Sequence, residues 1–198
     1  MSGTYPSTPT FASLGFGSDQ KTKKTTTDSG KIFTAQVDGQ KWKFRASYPP
    51  MTRSNFAPIY AFIMKQRSQK ETFQIVLPEI STLKGTVSSI VSTHSTSTVG
   101  STSVVLKNVT QSSTFKAGDL IKFNSHNKVY MIVADATGDG ANQATVTIEP
   151  PLRQALIADD TVTYSNVPFT VRLINDLQEF STNKKDLYEF EVDFIEAL

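Results

Sequence analysis

Five short apolar runs in the second half of the chain constrain its fold more than any other feature. They recur at roughly ten-residue spacing and are Val104–Val109, Leu120–Phe123, Val129–Val133, Ala144–Ile148 and Thr161–Tyr164. The segments between them contain turn-forming residues, as in Ala117-Gly118-Asp119 and Gly138-Asp139-Gly140. Short strands joined by such turns predict a small β-barrel or β-sandwich.

Strand patterns also occur on both sides of this region. Trp42, Phe44 and Ala46 alternate with polar or charged residues, which is typical of a strand with one solvated face. An apolar run over 32–37 precedes them, and Asp38-Gly39 between the two predicts a two-residue hairpin turn. Three further runs predict strands, namely Thr72–Leu77, Phe169–Ile174 and Leu187–Ile195.

One segment has the periodicity of a helix rather than a strand. Its apolar residues fall at positions i, i+3, i+4 and i+7, and they are Phe56, Ile59, Tyr60 and Ile63. Ser54 is the expected N-cap, and Pro58 is tolerated in a first turn. Lys65 and Arg67 lie near the C-terminal end, where cations suit the helix dipole. The sequence therefore predicts one helix that packs against the sheet holding Trp42.

Two segments are poor in core-forming residues. Residues 1–30 are rich in Ser, Thr, Gly, Pro and Lys and predict a flexible N-terminal arm. Phe11, Leu14 and Phe16 have no evident partner in such an arm, so we expect them either to dock on a neighbouring subunit or to belong to a mobile terminus. Residues 81–103 contain fourteen Ser or Thr and favour exposed β structure or a loose loop.

The composition excludes several kinds of site. The chain has no cysteine, which rules out disulfides, cysteine nucleophiles and cysteine-based metal centres. His94 and His126 lie outside any catalytic or metal-binding motif. The segment Asp135–Gly140 resembles the start of a calcium loop, but Val146 stands where the bidentate glutamate belongs. The sequence therefore predicts a hairpin turn at Asp135–Gly140, no metal, no cofactor and no enzyme.

The predicted last strand is acidic on one side, because Glu189, Glu191 and Asp193 are spaced by two. Such a row is a solvated face or a contact for basic groups of another subunit, and Lys65 and Arg67 are its candidate partners. The net charge is only +2, so no sequence-specific nucleic-acid binding is expected. No run approaches the ~20 apolar residues of a membrane span, and the first residues do not form a signal peptide, so synthesis in a cytoplasm is expected.

Several segments resemble structural proteins of bacteriophage tails. The first group resembles ring-forming distal tail or baseplate hub proteins and comprises Trp42–Arg53, Phe56–Gln66 and Glu71–Pro78. The second group is similar to a small β module of phage virion proteins and comprises Phe115–Phe123, Lys128–Asp135 and Thr145–Arg153. The resemblance implies a mainly β fold: a β-sandwich or barrel with one flanking helix and an inserted small β-barrel-like module. The expected division is an arm at 1–30, a tail-ring-like core at 31–80 plus 168–198, and the inserted module at 81–167.

The resemblance also implies a function. It predicts a virion protein, made in the host cytoplasm, that forms a homo-oligomeric, hexameric ring joining the tail tube to the baseplate or tail tip. Other tail and baseplate proteins would be its partners, and DNA would pass through the ring. The candidate interface residues are Phe11, Leu14, Phe16, Lys65, Arg67, Glu189, Glu191 and Asp193. The alternative is a carbohydrate- or receptor-binding module of a tail fibre, and a cell-wall hydrolase comes third.

Overall fold

The computed structural model describes residues 3–183 and 185–198, apart from the side chain of residue 38. In this part the chain is mainly β with one helix, which confirms the predicted fold class. The elements in chain order are β1 (Ser13–Thr26), β2 (Ile32–Ser47), α1 (Arg53–Lys65), β3 (Phe73–Val76), β4 (Ser92–Thr93), β5 (Ser103–Lys107), β6 (Thr114–Phe115), β7 (Leu120–Phe123), β8 (Val129–Ile132), β9 (Ala136–Thr137), β10 (Gln143–Glu149), β11 (Val162–Thr163), β12 (Pro168–Leu173), β13 (Phe180–Thr182) and β14 (Tyr188–Glu196).

The chain divides into two compact units. The first, which we call the core unit, comprises Met1–Phe73 and Val171–Ala197. The second, which we call the module, comprises Gln74–Thr170 together with Leu198. The chain enters the module within β3 and leaves it within β12, so the module is an insertion. The sequence predicts boundaries after residues 80 and 167, whereas this division falls after residues 73 and 170.

The core unit is built on an open sheet with the strand order β1-β2-β14-β12-β3, and β13 pairs with β14. Strands β1 and β2 form a long antiparallel hairpin whose register runs from Ser13 opposite Ser47 to Thr26 opposite Ile32. The turn lies at residues 27–31, where Gly30 has a φ of 79° and its N–H donates to the Thr27 carbonyl at 2.8 Å. Glycine adopts this left-handed backbone without the steric cost of a Cβ.

The hairpin turn predicted at Asp38-Gly39 is wrong. Strand β2 runs straight through this dipeptide, and the register of the β1–β2 pair shifts between Asp19 and Lys21. Three residues of β2, 38–40, therefore face the single residue Gln20, which makes the site a β-bulge. Gly39 has a φ of 116°, so the conformational freedom that suits a turn is used here within a strand.

The flexible arm predicted at residues 1–30 requires a similar correction, with residues 1 and 2 outside the described part. Strand β1 takes up 13–26, because Thr favours strands and β2 supplies a pairing partner along its length. Upstream of the strand, the ring of Tyr5 is buried and lies 5.5 Å from Phe62 and 5.3 Å from Phe194, measured between ring centroids. The arm is thus anchored in the aromatic core of its own unit.

The predicted helix is confirmed as α1. Its buried residues are Phe56, Ile59 and Ile63. The ring of Phe56 stacks on Tyr188 of β14 with centroids 4.8 Å apart, so the helix packs against the sheet that holds Trp42. The N-cap is Thr52 rather than the expected Ser54. No helix in the described residues is long and apolar enough to span a membrane.

The module contains a sheet that nearly closes on itself. Its strand order is β11-β7-β8-β10-β5-β4, and a bridge between Ser92 and Thr161 joins the two ends of this series. The five predicted strands are all present, as β5, β7, β8, β10 and β11. Inside the sheet lies an apolar core that includes Phe115, Phe123 and Tyr130. The Ser/Thr-rich tract contributes the short strand β4 and the buried side chains of Val87 and Val91.

Candidate interface surfaces

The histidines of the module do not form a catalytic arrangement. His94 is exposed, whereas His126 is buried with its Nδ1 2.9 Å from the hydroxyl of Tyr130. That hydroxyl also accepts the backbone N–H of Arg153 at 3.3 Å. Burial lowers the pKa of His126, and the Ala155 backbone and Asp160 oppose this effect.

The segment Asp135–Gly140 uses its carboxylates to hold the backbone. Asp135 accepts hydrogen bonds from the Lys116 ammonium at 2.7 Å and from the Ala117 N–H at 2.9 Å. Asp139 accepts two backbone N–H bonds from the residues that follow it. A Cβ at Gly138 would collide with the carbonyl oxygen of Thr110. Among the described residues, no group of three acidic or histidine side chains could hold a metal ion.

A carbohydrate site on the module would need an exposed ring for a sugar to stack on. Phe115, Phe123, Tyr130 and Phe169 are buried. Tyr164 is half-buried, and its hydroxyl donates to the Ser89 carbonyl at 2.6 Å. The described part of the module therefore offers no exposed phenyl or phenol ring.

The solvated face of the core sheet carries two ion pairs across neighbouring strands. Arg45 on β2 stands opposite Asp193 on β14, and two N···O contacts of 2.8 and 3.1 Å join them. Lys43 contacts Asp19 at 2.8 Å, and this hydrogen bond is the main cause of the lowered pKa of Asp19. Asp193, a candidate for contact with another subunit, thus already has a cationic partner within its own chain.

The other charged candidates are not brought together within one chain. Glu189 and Glu191 are exposed and line a hollow of about 610 Å³ with Glu179. Lys65 and Arg67 are exposed at the C-terminal end of α1. No ion pair joins these two sets in the part of the chain that the structure describes. Their role in an interface between copies stays a prediction.

The apolar candidates have partners inside the core unit. Phe16 stacks on Trp42 with ring centroids 4.7 Å apart, and Phe11 lies 5.1 Å from the ring of Tyr48. Leu14 stands opposite Ala46 in the β1–β2 register and is half-buried. The expectation that these residues lack partners in their own domain is therefore wrong, and their contact with a neighbouring subunit stays a prediction.

The surface that sequence reasoning missed is the outer half of the β1–β2 hairpin, which we call the distal hairpin (residues 20–36). Strand β14 pairs with β2 only over Lys43–Ser47, so no third strand lies beside the distal hairpin among the described residues. Every one of its residues is exposed, including Ile32 and Phe33 at 52% each. The signal that could have revealed it is the content of Thr over 21–26, where three of the six residues are Thr, since Thr favours strands.

Two comparisons with known proteins indicate what the chain is similar to. Residues 79–167 match a family model described as the B domain of distal tail protein pb9. Over 149 residues, the chain is 23% identical to the distal tail protein pb9 of Escherichia phage T5. The aligned part covers 74% of this chain and 71% of that protein. The predicted resemblance to phage distal tail proteins is confirmed by these matches.

Proposed function

From this resemblance, which indicates a structural role in a phage tail, we propose that the chain is a ring subunit joining the tail tube to the baseplate or tail tip. The ring is a closed homo-oligomer, with six copies expected from the resembled family. Its other partners are tail and baseplate proteins, and DNA passes through it without sequence-specific contacts. The chain needs no cofactor for this role and acts without catalysis.

The observation that carries the proposal is the free edge of the core sheet. Strand β1 is 14 residues long and stands last in the strand order, so no strand pairs with its outer edge in the described residues. Unpaired backbone N–H and C=O groups along such an edge are a template for pairing with another chain. Soluble proteins usually shorten or cover an edge of this length, which supports assembly with a partner.

A ring also needs a second, different surface on each copy. In a cyclic assembly one patch of a subunit contacts another patch of the next, and the series closes when the rotation allows it. The core unit has a basic side, on the β1–β2 hairpin, and carboxylates at Glu179, Glu189 and Glu191. Surfaces of opposite charge favour head-to-tail contact over pairing of like surfaces.

Imaging of intact particles tests the proposal. A phage that lacks the gene for this chain would be complemented with a tagged copy, and the tag located by electron microscopy. We expect the tag in a ring at the distal end of the tail tube, and none in particles complemented with the untagged chain. Labelling confined to fibre tips would favour the receptor-binding alternative, and absence from virions would overturn a structural role.

A further inference from the structure

The tip of the distal hairpin combines exposed apolar rings with positive charge. Ile32 and Phe33 are each about half exposed although neither has a place in the core. The Lys31 ammonium lies 5.0 Å from the centre of the Phe33 ring. The charged groups of the distal hairpin are four lysines and one carboxylate, namely Lys21, Lys23, Lys24, Lys31 and Asp28. An exposed phenylalanine within a basic surface has the composition of a docking element.

The same unit carries a hollow of matching character at the end of α1, which we call the α1 hollow. It measures about 270 Å³, and its apolar lining comes from Tyr60, Ile63, Met64, Leu173 and Leu177. Met64 is 60% exposed and Leu177 is 70% exposed. Apolar side chains are thus presented to solvent here, as they are at the hairpin tip.

Carboxylates border the α1 hollow. Asp176 lines it and accepts hydrogen bonds from Ser68 and Gln69, both of which are neutral. Asp176 also lines a neighbouring hollow, together with Glu179 and Glu191. None of these three carboxylates takes part in an ion pair within the described residues. Among the described residues that line the α1 hollow, Arg67 is the one cationic group.

The distal hairpin could contact the α1 hollow of its own chain or that of another copy, and its geometry distinguishes the two. Lys43 is the residue nearest the hairpin tip at which β2 still pairs with β14. From Lys43 to Phe33 is ten residues of strand, which span roughly 30 Å. Phe33 is 52% exposed and does not line the α1 hollow of its own chain. The hollow it meets therefore belongs to another molecule.

We infer that the distal hairpin of one copy docks in the α1 hollow of the next copy. Phe33 enters the apolar lining, and the lysines face Asp176 and Glu179. The tip of the distal hairpin and the α1 hollow are different patches of the same chain. A contact between them is therefore heterologous, as a ring requires. The buried ring supplies affinity, whereas the charges set the approach and the register. The inference rests on the proposed ring and names the surfaces that close it.

Paired cysteines test this contact directly, because the natural chain has none. In the double variant Thr25→Cys plus Leu177→Cys, which keeps the Phe33 ring because Thr25 stands opposite Phe33 in the β1–β2 register, oxidation should link copy to copy and give a ladder of covalent oligomers on a non-reducing gel. Each single variant should give at most a dimer. The matched control is Thr25→Cys plus Ile90→Cys, since Ile90 is 83% exposed and lies in the module. The ladder should be absent from this control.

Charge reversal adds a second readout. Lys23→Glu plus Lys24→Glu in the double-cysteine chain should slow the cross-linking about tenfold at low salt. Adding Asp176→Lys plus Glu179→Lys to that variant should restore the rate. A general loss of structure would not be reversed by further substitutions, so restoration separates docking from misfolding.

The inference and the proposed function can fail separately. If particle imaging places the chain in a ring but the double-cysteine variant links no better than its control, in purified form and in particles, the docking inference is wrong and the ring stands. If the chain is absent from the tail end but the purified double variant still gives the ladder, the contact stands and the ring role is wrong. Absence of both overturns both.

Discussion

The two units differ in how much of their sheet edges stays unpaired. In the module the terminal strands β4 and β11 lie side by side through the Ser92–Thr161 bridge, so its sheet leaves little free edge. In the core unit β1 ends the sheet and is also among its longest strands. The same chain closes the edges of one sheet and, among the described residues, leaves an edge of the other sheet unpaired. We therefore expect the core unit to be the part that assembles.

The two halves of the β1–β2 hairpin repeat this contrast on a smaller scale. In the inner half, Phe44 is buried and lies beside Phe16, whose ring also stacks on Trp42. In the distal hairpin all residues are exposed. The inner half contributes to the stability of the unit, whereas we expect the outer half to contribute to contact between copies. The predictions below test this division in order of decreasing effect.

Removal of the Phe56 ring should have the largest effect. Phe56 is 4% exposed and contacts the rings of Tyr188 and Phe190 in β14. Phe56→Ala should lower the free energy of unfolding by about 3–5 kcal/mol, because it leaves a cavity between helix and sheet. Chemical denaturation measures this change. Met64→Ala on the same helix is the control and should change little, and equal effects of the two substitutions would contradict the described packing.

Gly138→Ala tests the module. The added Cβ would collide with the Thr110 carbonyl oxygen, and a backbone atom cannot move away as a flexible side chain can. We expect a loss of about 1–3 kcal/mol in the free energy of unfolding. Gly140→Ala is the matched control, since nothing lies within 4 Å of its added Cβ. A neutral Gly138→Ala variant would show that the turn is looser than described.

The tyrosine pair in the core unit predicts that the protein loses stability at alkaline pH. Burial raises the pKa of Tyr48 from 10.0 to about 12, and burial also raises the pKa of Tyr5, which accepts the Tyr48 hydroxyl proton at 2.9 Å. The unfolded chain ionises first, so the stabilising contribution is complete below pH 10 and is lost as the pH rises towards 12. Each tyrosine contributes at most about 1.4 kcal/mol per pH unit.

Tyr48→Phe should therefore cost about 1 kcal/mol near pH 8, from the lost hydrogen bond. It should also reduce the decline in stability between pH 10 and 12. Thermal melts of the variant and the natural chain at pH 8, 10 and 11 provide the comparison. Parallel curves for the two proteins would mean that Tyr48 ionises equally well in the folded state.

Phe33→Ser should have the smallest effect on the isolated chain. Its ring is half exposed and packs against no core, so the free energy of unfolding should change by less than about 0.5 kcal/mol. Phe44→Ala in the inner half, at 2% exposure, is the contrasting variant and should be strongly destabilising. A large decrease in the free energy of unfolding on Phe33→Ser would show that the distal hairpin contributes to the stability of the core unit. The contrast between the two halves of the hairpin would then be wrong.

Most single elements could be predicted from local pattern. The period-2 runs became strands, and the Phe56–Ile63 spacing became α1, because side-chain burial on one face is a local property. The β1 strand could not be predicted from composition, since its ladder depends on a partner that residues 32–47 provide. Asp38-Gly39 was misread for the same reason, because a bulge and a turn use the same residues and only the facing strand distinguishes them.

For the candidate interface residues too, local pattern predicted some features, and others depended on residues distant in sequence. Glu189 and Glu191 were predicted as one exposed acidic row, and the structure leaves them exposed. Asp193 has the same spacing, but Arg45 stands opposite it in the sheet and pairs with it. The α1 hollow could not be predicted at all, since Tyr60 and Leu177 are distant in sequence and meet only in the folded unit.

The sequence by itself determined the β-rich class, the position of the helix, the absence of any cysteine chemistry and the resemblance to tail proteins. These follow from periodicity and composition, which act over a few residues and need no knowledge of neighbours. Only the tertiary structure decided which strand edge stays open, which charges pair within the chain and which apolar groups reach solvent. Each of these depends on a partner far along the chain, because burial and pairing are properties of two surfaces rather than one.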